Sequence, residues 1–566
     1  MFQRPFAIAL SVVAAVVMVT GCTPAINDDP VAKFPPPPTA TPTPSPSWSP
    51  TAMMTPVPAF EPHATDTTDP AKFGLRQAIQ VNGTIVDSYQ RPRPVDFALG
   101  DDYTPLPGII TFRGGPLRDS PSYGTAQIAQ KQFSKTNWSV PTGGMKTGLA
   151  TWSGSGWTGQ PLLVQWPDET RKVLQRDQSA IDKGGLIEAI YATMDGHVYF
   201  LDAETGQQTR KAVSLGFPFK GAGALDPRGI PLLYVGSGDN SPGGAASHVF
   251  IVSLVDGKVL YEFGGNDSFA QRGWSGMDSS PLVDAATDTL IYCGENGVVY
   301  TIHLNTQWDQ ATGSLTINPD EVVKYRYSTS RTSSANYWLG IESSPVIISH
   351  YLIAGDNGGN LICLDLNTMS MVWMQDIWDD TNDTPVVEIG DDGKPYVYIS
   401  TSLHWTSNGG KGTIPVWKID ATNGEKVWQH DYPCYTIKDL SGGVQGTIAI
   451  GQNNVADLVF VPISRTPSIG SGRLAALDKN TGNEVWVFDT PNYYSWSSPV
   501  PVYDAAGHGY LIYCNSAGTI YLLDARTGEK LDSFAAGANI EASPAVFNNL
   551  LVVGTRGQRI LGIRLI

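Results

Sequence analysis

The sequence has little charge and few of the residues that usually bind metals. Only 16% of its 566 residues are Asp, Glu, Lys or Arg, and its formal net charge is −16. Nucleic-acid binding needs Lys and Arg clustered on one face, and no such cluster occurs, so nucleic acid is excluded as a partner. The eight histidines and five cysteines show no metal-site spacing and no C-x-x-C-H haem-attachment motif.

The cysteines are also never adjacent to one another. Cys293, Cys363 and Cys514 lie inside apolar, strand-like runs and read as small buried hydrophobic residues. Cys434 reads as a loop residue. Cys22 belongs to a different context, the N-terminal segment.

Residues 1–22 form a targeting segment. Arg4 precedes an apolar run from Phe6 to Val19, which is too short to span a bilayer as a mature helix. The run ends in Val19-Thr20-Gly21-Cys22, which resembles a bacterial lipobox and implies that Cys22 becomes a lipid-bearing first residue. This predicts an extracytoplasmic protein held at the cell membrane by acyl chains, palmitate among them. The alternative is an ordinary signal peptide with an incidental cysteine.

Residues 23–60 are rich in proline and threonine, most densely in FPPPPTATPTPSPSWSPTAMMTPVP. Such a segment cannot bury a core and favours an extended backbone, so we expect a disordered tether. At about 3.1 Å per residue it reaches up to roughly 100 Å from the membrane. Residues 61–130 read as an irregular extension before the main domain.

Glycine, proline and aromatic residues are abundant: 59 Gly, 41 Pro, 15 Trp and 23 Tyr. This composition is typical of many short strands joined by tight turns. The segment GIESSPVI at Gly340 contains two small residues and a proline before an apolar run, which we call the small-small-proline motif. Further copies are GMDSSPLV at Gly276, SWSSPVPV at Ser495 and NIEASPAV at Asn539.

Each motif is followed by short strand-like runs with a glycine turn between the second and third. An Asp-x-x-Thr-Gly turn often joins the third and fourth: DAETG at Asp202, DKNTG at Asp478 and DARTG at Asp524. With weaker copies included, about eight units of roughly 40–60 residues recur. Residues 131–566 are therefore predicted to form an all-β, eight-bladed β-propeller of four-stranded antiparallel blades.

The last unit stops after three strands, which would leave an open sheet edge. The segment FSKTNWSVPTG at Phe133 reads as an orphan fourth strand, with Trp138 where other fourth strands carry Trp373, Trp428 or Trp486. We expect this N-terminal strand to complete the C-terminal blade and close the ring.

The repeated unit S-S-P-V…Y-x-G-x-x-x-G-x-[IVL]-Y-x-L-D-x-x-T-G-x-x-x-W resembles the pyrroloquinoline quinone (PQQ) repeat. The TFRG segment (Thr111–Gly114) is similar to the start of bacterial PQQ-binding-like propeller proteins. The resemblance covers about Gly108 to Ile566 and implies two classes of relative. One is the quinoprotein dehydrogenases, and the other is the propeller lipoprotein of the outer-membrane β-barrel assembly machinery, which binds without catalysing.

The dehydrogenases of this family hold PQQ with calcium, carboxylate and Asn ligands, a stacking Trp and an adjacent Cys-Cys disulfide. Here Asp278, Glu342 and Trp496 match by residue type only, and the Cys-Cys pair is missing. We therefore expect no cofactor and no catalytic residues, with PQQ as the alternative. The predicted function is a monomeric, non-catalytic binding or scaffolding module for a protein partner or a small polar ligand. The alternative is a PQQ- or metal-dependent, dehydrogenase-like enzyme.

In a propeller the first strand of each blade lines the central channel, so bulky side chains there would clash, and Pro can begin a strand without breaking the ladder. The residue just before each small pair should then lie at one channel mouth, where it could bind a cation or a polar ligand. These candidate ligand-binding positions are Thr158, Lys220, Asp278, Glu342, Asn382, Gln445, Trp496 and Glu541. The alternative is a solvated rim that serves only solubility.

Three further patterns in the sequence are weaker. Asp278, Glu342 and Glu541 could do glycosidase acid/base work, but nothing singles out a pair. The loops GNDSFAQRGWSGMD at Gly265 and LDPRGIP at Leu225 break the repeat template and mark either a binding face or loop packing. His404-Trp405 reads as surface or packing.

Overall fold

The computed structural model describes residues 60–174, 177–331, 340–437 and 440–566. The predicted signal segment, Cys22 and residues 23–59 of the predicted tether lie outside the described residues. The described chain belongs to one compact unit, Val57–Ile566. Within it, no helix has the length and apolar character needed to cross a bilayer.

The predicted fold is confirmed: the structure is an eight-bladed β-propeller of antiparallel sheets. Blades 1 to 4 take their four strands in chain order from the innermost outward. Blade 1 contains Leu162–Val164, Glu188–Ala192, His197–Asp202 and Val213–Ser214, and blade 2 contains Ala224–Leu225, Leu232–Gly236, Val249–Ser253 and Val259–Phe263. Blade 3 contains Leu282–Asp284, Thr289–Cys293, Val298–His303 and Glu321–Ser328, and blade 4 contains Val346–Ile348, Tyr351–Gly355, Asn360–Asp365 and Ser370–Asp376.

Blades 5 to 7 continue in the same order, and blade 8 takes its outer strand from the N-terminal side. Blade 5 contains Val386–Ile389, Pro395–Ser400, Lys411–Asp420 and Lys426–Tyr435, and blade 6 contains Ala449–Ile450, Leu458–Ser464, Gly472–Asp478 and Glu484–Thr490. Blade 7 contains Val500–Tyr503, Gly509–Cys514, Thr519–Asp524 and Lys530–Ala535, and blade 8 contains Ala545–Phe547, Leu550–Thr555, Arg559–Leu565 and Phe133–Pro141.

A few elements lie outside this scheme. Short strands Ser402–Leu403 and Gly442–Gly443 join the sheet of blade 6, and two hairpins pair Gly144–Lys146 with Thr151–Ser153 and Gln307–Asp309 with Ser314–Thr316. The α-helices are Asp168–Val173 and Gln178–Asp182, and the 3₁₀ helices are Pro70–Phe73, Gly100–Asp102 and Asn453–Val455.

Apolar clusters join successive blades around the ring. Separate clusters of buried residues bridge blades 4 and 5, 5 and 6, 6 and 7, and 7 and 8, and two further clusters connect blades 1 to 4. Another brings Leu163 and Tyr191 of blade 1 against Val552 and Ile560 of blade 8. The strand that carries Trp138 pairs antiparallel with Arg559–Leu565, with Trp138 opposite Gly562.

Tryptophans of three fourth strands connect blades 8, 4 and 5 to the blade that follows each of them. The indole Nε1 atoms of Trp138, Trp373 and Trp428 donate to the backbone oxygens of Ala203, Ala421 and Lys479, respectively, each at 2.9 Å. Each ring also lies against the glycine of the neighbouring blade's Asp-x-x-x-Gly turn. At Gly206 (φ 71°) a Cβ atom would come within 2.6 Å of the Trp138 ring, so this turn requires glycine for both its conformation and its packing.

The predicted N-terminal extension is irregular only in part. Strands Arg76–Val81 and Thr84–Val86 extend blade 3 beyond its outer strand. Residues 107–126, which we call the channel segment, enter the propeller axis.

The expectation that Cys434 lies in a loop is wrong. Cys434 lies in the strand Lys426–Tyr435 and is buried, because this strand is longer than the repeat template.

Candidate functional site

The channel segment fills one end of the propeller axis and contacts the inner part of all eight blades. Gly108–Ile109 pairs with blade 1, and Ser122–Tyr123 pairs in parallel with the inner strand of blade 8. Backbone amides of Leu225, Ile347 and Val387 donate to its carbonyl oxygens. The channel is therefore closed on this side by the protein's own chain.

Two buried arginines connect the channel segment to the small-small-proline motifs. The Arg118 guanidinium donates to the carbonyl oxygens of Pro345 (2.9 Å) and Ser280 (2.8 Å). Arg113 donates to the carbonyl oxygens of Pro499 and Ile448, both at 3.2 Å. Burial lowers the pKa of each arginine to about 10, so both remain charged at neutral pH.

The second small residue of the motif has a role that its size alone did not reveal. Its hydroxyl accepts a hydrogen bond from the backbone amide of the equivalent residue in the preceding blade. These bonds are Ser280 N to Ser344 Oγ (2.9 Å), Ser344 N to Thr384 Oγ1 (3.1 Å), Thr447 N to Ser498 Oγ (2.9 Å) and Ser498 N to Ser543 Oγ (3.2 Å). We call this the hydroxyl belt.

Most of the predicted mouth positions converge on a narrow neck above the channel segment. The neck is a cavity of about 30 Å³, room for one or two water molecules. Phe112 of the channel segment lines it together with six of the predicted positions: Thr158, Asp278, Glu342, Asn382, Gln445 and Trp496. The repeat register thus places these side chains in one ring, whereas their role in ligand binding stays a prediction.

Lys220 and Glu541 belong to the same region without lining the neck. The Lys220 ammonium lies 2.5 Å from Asp278 Oδ2. Glu541 accepts from Asn539 Nδ2 at 2.8 Å, and its carboxylate lies 3.7 Å from Arg556 Nε. Both residues therefore bind other groups of the chain.

Outside the neck the mouth widens into a cavity of about 570 Å³, which we call the vestibule. Glu342, Asn382, Gln445, Trp157 and Trp496 border both spaces. Asp380 and His404 also line the vestibule, with His404 Nδ1 3.4 Å from Asp380 Oδ2. His404, interpreted from the sequence as surface or packing, thus borders the candidate site, and the carboxylate raises its pKa.

Carboxylates dominate the electrostatics of the mouth. Burial raises the pKa of Glu342 and of Glu295 to about 7, and that of Asp278 to about 6. Lys220 opposes the shifts at all three residues. Glu295 and Trp157 could not be predicted in this way, because neither is the residue just before a small pair. Trp157 nevertheless directly precedes Thr158.

Of the two loops that break the repeat, each contacts the blades around it. Trp274 Nε1 donates to Glu295 Oε2 at 2.6 Å, and Arg272 Nη1 donates to Asn357 Oδ1 at 3.2 Å. In the other loop, the Arg228 guanidinium pairs with Asp226 and Asp288, both at 2.6 Å. These contacts support packing for the second loop and place the first beside the mouth.

The residues of the mouth do not fit PQQ. The quinone carries three carboxylates, whereas Glu342 and Asp380 bring negative charge to the vestibule, and the nearby Lys220 already pairs with Asp278. The neck is too small for a tricyclic ligand. Among the described residues, no group of three or more His, Cys, Asp or Glu is arranged to hold a metal ion.

Comparisons with known proteins confirm the predicted resemblance to PQQ-type propellers. The family model described as "Outer membrane protein assembly factor BamB" matches residues 305–486 and 470–564. The BamB of Kangiella koreensis is 26% identical over 228 residues, covering 39% of this chain and 50% of the relative. The chain thus spans about half the length of the curated relative that it matches.

Solved structures with a similar fold include members of both expected classes. The BamB structure from Moraxella catarrhalis has a TM-score of 0.43 at 14% identity, covering 71% of this chain and 98% of that one. The quinohemoprotein alcohol dehydrogenase ADHIIG from Pseudomonas putida has a TM-score of 0.49 at 12% identity, covering 84% and 83%.

Proposed function

We propose that this protein is a non-catalytic binding or scaffolding propeller that acts outside the cytoplasm, attached to a membrane through a lipid on Cys22. The match of residues 305–564 to the BamB family model supports a role in protein assembly. The partner itself, the lipid anchor and a monomeric state are parts of the proposal.

The observation that carries the proposal is a channel closed at one end and open at the other. Because the channel segment fills the axis, a ligand or partner approaches the ring of mouth residues from one face only. A site of this kind suits binding better than the passage of substrates through the axis.

The surface around the open end supports a protein partner. Since neighbouring strands of a blade are antiparallel, loops entering first strands and loops between second and third strands lie at the mouth end. Large apolar side chains are exposed in these loops: Leu149 (66%), Trp405 (37%), Ile437 (39%), Leu440 (37%), Ile469 (48%) and Tyr493 (47%). Exposed apolar side chains around a polar centre are a common feature of protein-binding surfaces.

The tether adds a proposal about location. A segment that reaches up to roughly 100 Å when extended would let the propeller act away from the membrane surface, as in cell-surface display. A position at an outer membrane, suggested by the words "Outer membrane protein assembly factor" in the name of the BamB relative, is the competing location. Cell fractionation with surface protease treatment separates the two.

The test of the proposal uses a photo-crosslinking residue at Leu149 or Tyr493 on the mouth side, and at Thr481 or Thr527 on the opposite side, in living cells. We expect one partner band from both mouth positions, absent from both opposite positions. Labelling with a palmitate analogue should require Cys22 and disappear in Cys22→Ser.

Two results would overturn the proposal. One is equal crosslinking from both faces, and the other is dye-coupled alcohol oxidation by the purified chain after addition of PQQ and calcium. The latter would establish the dehydrogenase alternative.

A further inference from the structure

The protein already holds one ammonium group at its mouth. Lys220 Nζ lies 2.5 Å from Asp278 Oδ2, and 4.8 Å and 5.4 Å from the ring centres of Trp157 and Trp152. Lys220 is 4% exposed. A carboxylate with indole faces is a favourable environment for a desolvated cation.

Glu342 also contacts Trp157, but no cation of the described residues lies within ion-pair distance of its carboxylate. Trp157 Nε1 donates to Glu342 Oε1 at 3.0 Å. The rings of Trp157 and Trp496 lie 5.3 Å apart in an edge-to-face arrangement at 78°. Glu342 forms no ion pair within the described residues, whereas Asp278, Glu295 and Glu541 pair with Lys220, Arg272 and Arg556.

Glu342 and Trp496 also border the vestibule, which is large enough for a small ligand or a peptide side chain. Trp496 is 6% exposed, and its Nε1 has no hydrogen-bond acceptor among the described residues. A buried indole N–H without an acceptor is costly unless a ligand or water supplies one. The Glu342 carboxylate without an ion pair and the Trp496 N–H without an acceptor together point to a bound molecule that carries both a cation and a hydrogen-bond acceptor.

We propose that the vestibule binds an alkylammonium group, with Glu342 as its counter-ion and Trp157 and Trp496 as its walls. The inference rests on the proposed function, in which the mouth is a binding site. An anionic ligand would face Glu342 and Asp380, and a neutral one would leave Glu342 without a counter-charge. A metal ion fits less well, because no group of three or more His, Cys, Asp or Glu among the described residues is arranged to hold one.

The charged groups around Glu342 make binding depend on pH. Lys220, Asp278, Glu295, Asp380 and His404 act on it electrostatically from neighbouring blades. A bound ammonium interacts best with the ionised carboxylate. With a pKa of about 7 in the free protein, affinity should fall about tenfold between pH 8 and pH 6.

The ammonium could come from a lysine side chain of a protein partner or from a free small amine. Isothermal titration calorimetry on the full-length chain in detergent distinguishes these sources. The probes are the peptide Ac-Gly-Lys-Gly-NH₂, its norleucine analogue as a neutral control, and n-butylamine. Binding of the lysine peptide alone indicates a peptide source, and binding of butylamine with equal or greater affinity indicates a small amine.

Glu342→Gln should weaken binding tenfold or more, because a charge-assisted hydrogen bond is lost while the acceptor for Trp157 is kept. Glu388→Gln is the matched control: this carboxylate is partly buried at the opposite end of blade 5, paired with Lys418 and Lys479, and its replacement should leave affinity within twofold. A thermal melt of each variant reports folding.

Three outcomes would overturn the proposal: no binding of either amine at millimolar concentration, equal binding of the norleucine peptide, or unchanged affinity in a folded Glu342→Gln variant. Any of these leaves the crosslinking test of the scaffold role unaffected. The two proposals therefore fail separately.

Discussion

Replacing Ser344 with alanine removes the hydroxyl that accepts a hydrogen bond from the Ser280 amide of the preceding blade, at 2.9 Å. Ser344 and Ser280 are only 5% and 1% exposed, so water does not readily take the place of the lost acceptor. A buried amide left without a partner costs about 1–3 kcal/mol. We therefore expect Ser344→Ala to lower the free energy of unfolding by about 2 kcal/mol.

Ser279→Ala is the matched control. Ser279 is equally small and is 1% exposed, but its Oγ has no hydrogen-bond partner among the described residues. Its replacement removes an unpaired hydroxyl instead of orphaning an amide. The free energy of unfolding should stay the same or rise slightly.

Thermal melts of the full-length chain in detergent measure the difference. Unfolding entropy is about 2.1 cal/mol/K per residue, so a cooperative unit of about 500 residues gains about 1 kcal/mol/K. A loss of about 2 kcal/mol then lowers Tm by about 2 °C. Hydrogen exchange gives a local readout, since the Ser280 amide should lose protection only in Ser344→Ala. Equal Tm shifts in the two variants, or a still-protected Ser280 amide, would refute the reasoning.

Three further predictions follow from other contacts. Arg118→Met should lower Tm by more than Ser344→Ala, because it removes several charge-assisted hydrogen bonds, worth about 1.5–3 kcal/mol each, and leaves their buried acceptors unpaired. An unchanged Tm would show that the cost of burying the charge, which also lowers the pKa of Arg118, cancels these bonds. Trp138→Ala should lower Tm more than Trp486→Ala, since Trp486 Nε1 lacks an acceptor within the described residues, and equal shifts would assign the effect to packing alone. The pKa of Glu342 is raised in the folded protein, so this residue reduces stability as the pH rises from about 4.5 through about 7. Glu342→Gln should therefore raise Tm at pH 8 but not at pH 4.5. Equal Tm differences at both pH values would contradict this.

The fold could be predicted because one motif recurs in fixed register. Each small-small-proline motif marks the beginning of a first strand, so counting the motifs together with their weaker copies counts the blades. The eighth unit has three strands of its own, and the strand at Phe133 pairs with the last of them. The same register placed Glu342 and Asn382 at the mouth, since both directly precede a small pair.

The channel segment could not be predicted in the same way. Its contacts join Arg113 and Arg118 to carbonyl oxygens more than one hundred residues away, and backbone acceptors leave no mark in a sequence. The TFRG motif was visible only as a resemblance. The hydroxyl belt could not be predicted for another reason. Close packing at a narrow axis already accounts for the small residues of the motif, so the sequence offered no reason to expect that their hydroxyl groups form hydrogen bonds.

The hydroxyl belt and the channel segment together explain why the residue at the mouth position differs from blade to blade. The hydroxyl belt fixes the backbone of the small pair to its neighbour at four junctions between blades, and the channel segment binds the proline carbonyl oxygens of blades 3, 4 and 7 from below. The backbone of the ring is therefore held largely without the side chain just before the pair, and the buried pair of Lys220 with Asp278 adds a contact between blades 2 and 3. It can be Lys220 in one blade and Trp496 in another without disturbing the blades. A scaffold that accommodates such different side chains around one opening suits recognition, and we expect the specificity of the proposed binding to come from that ring.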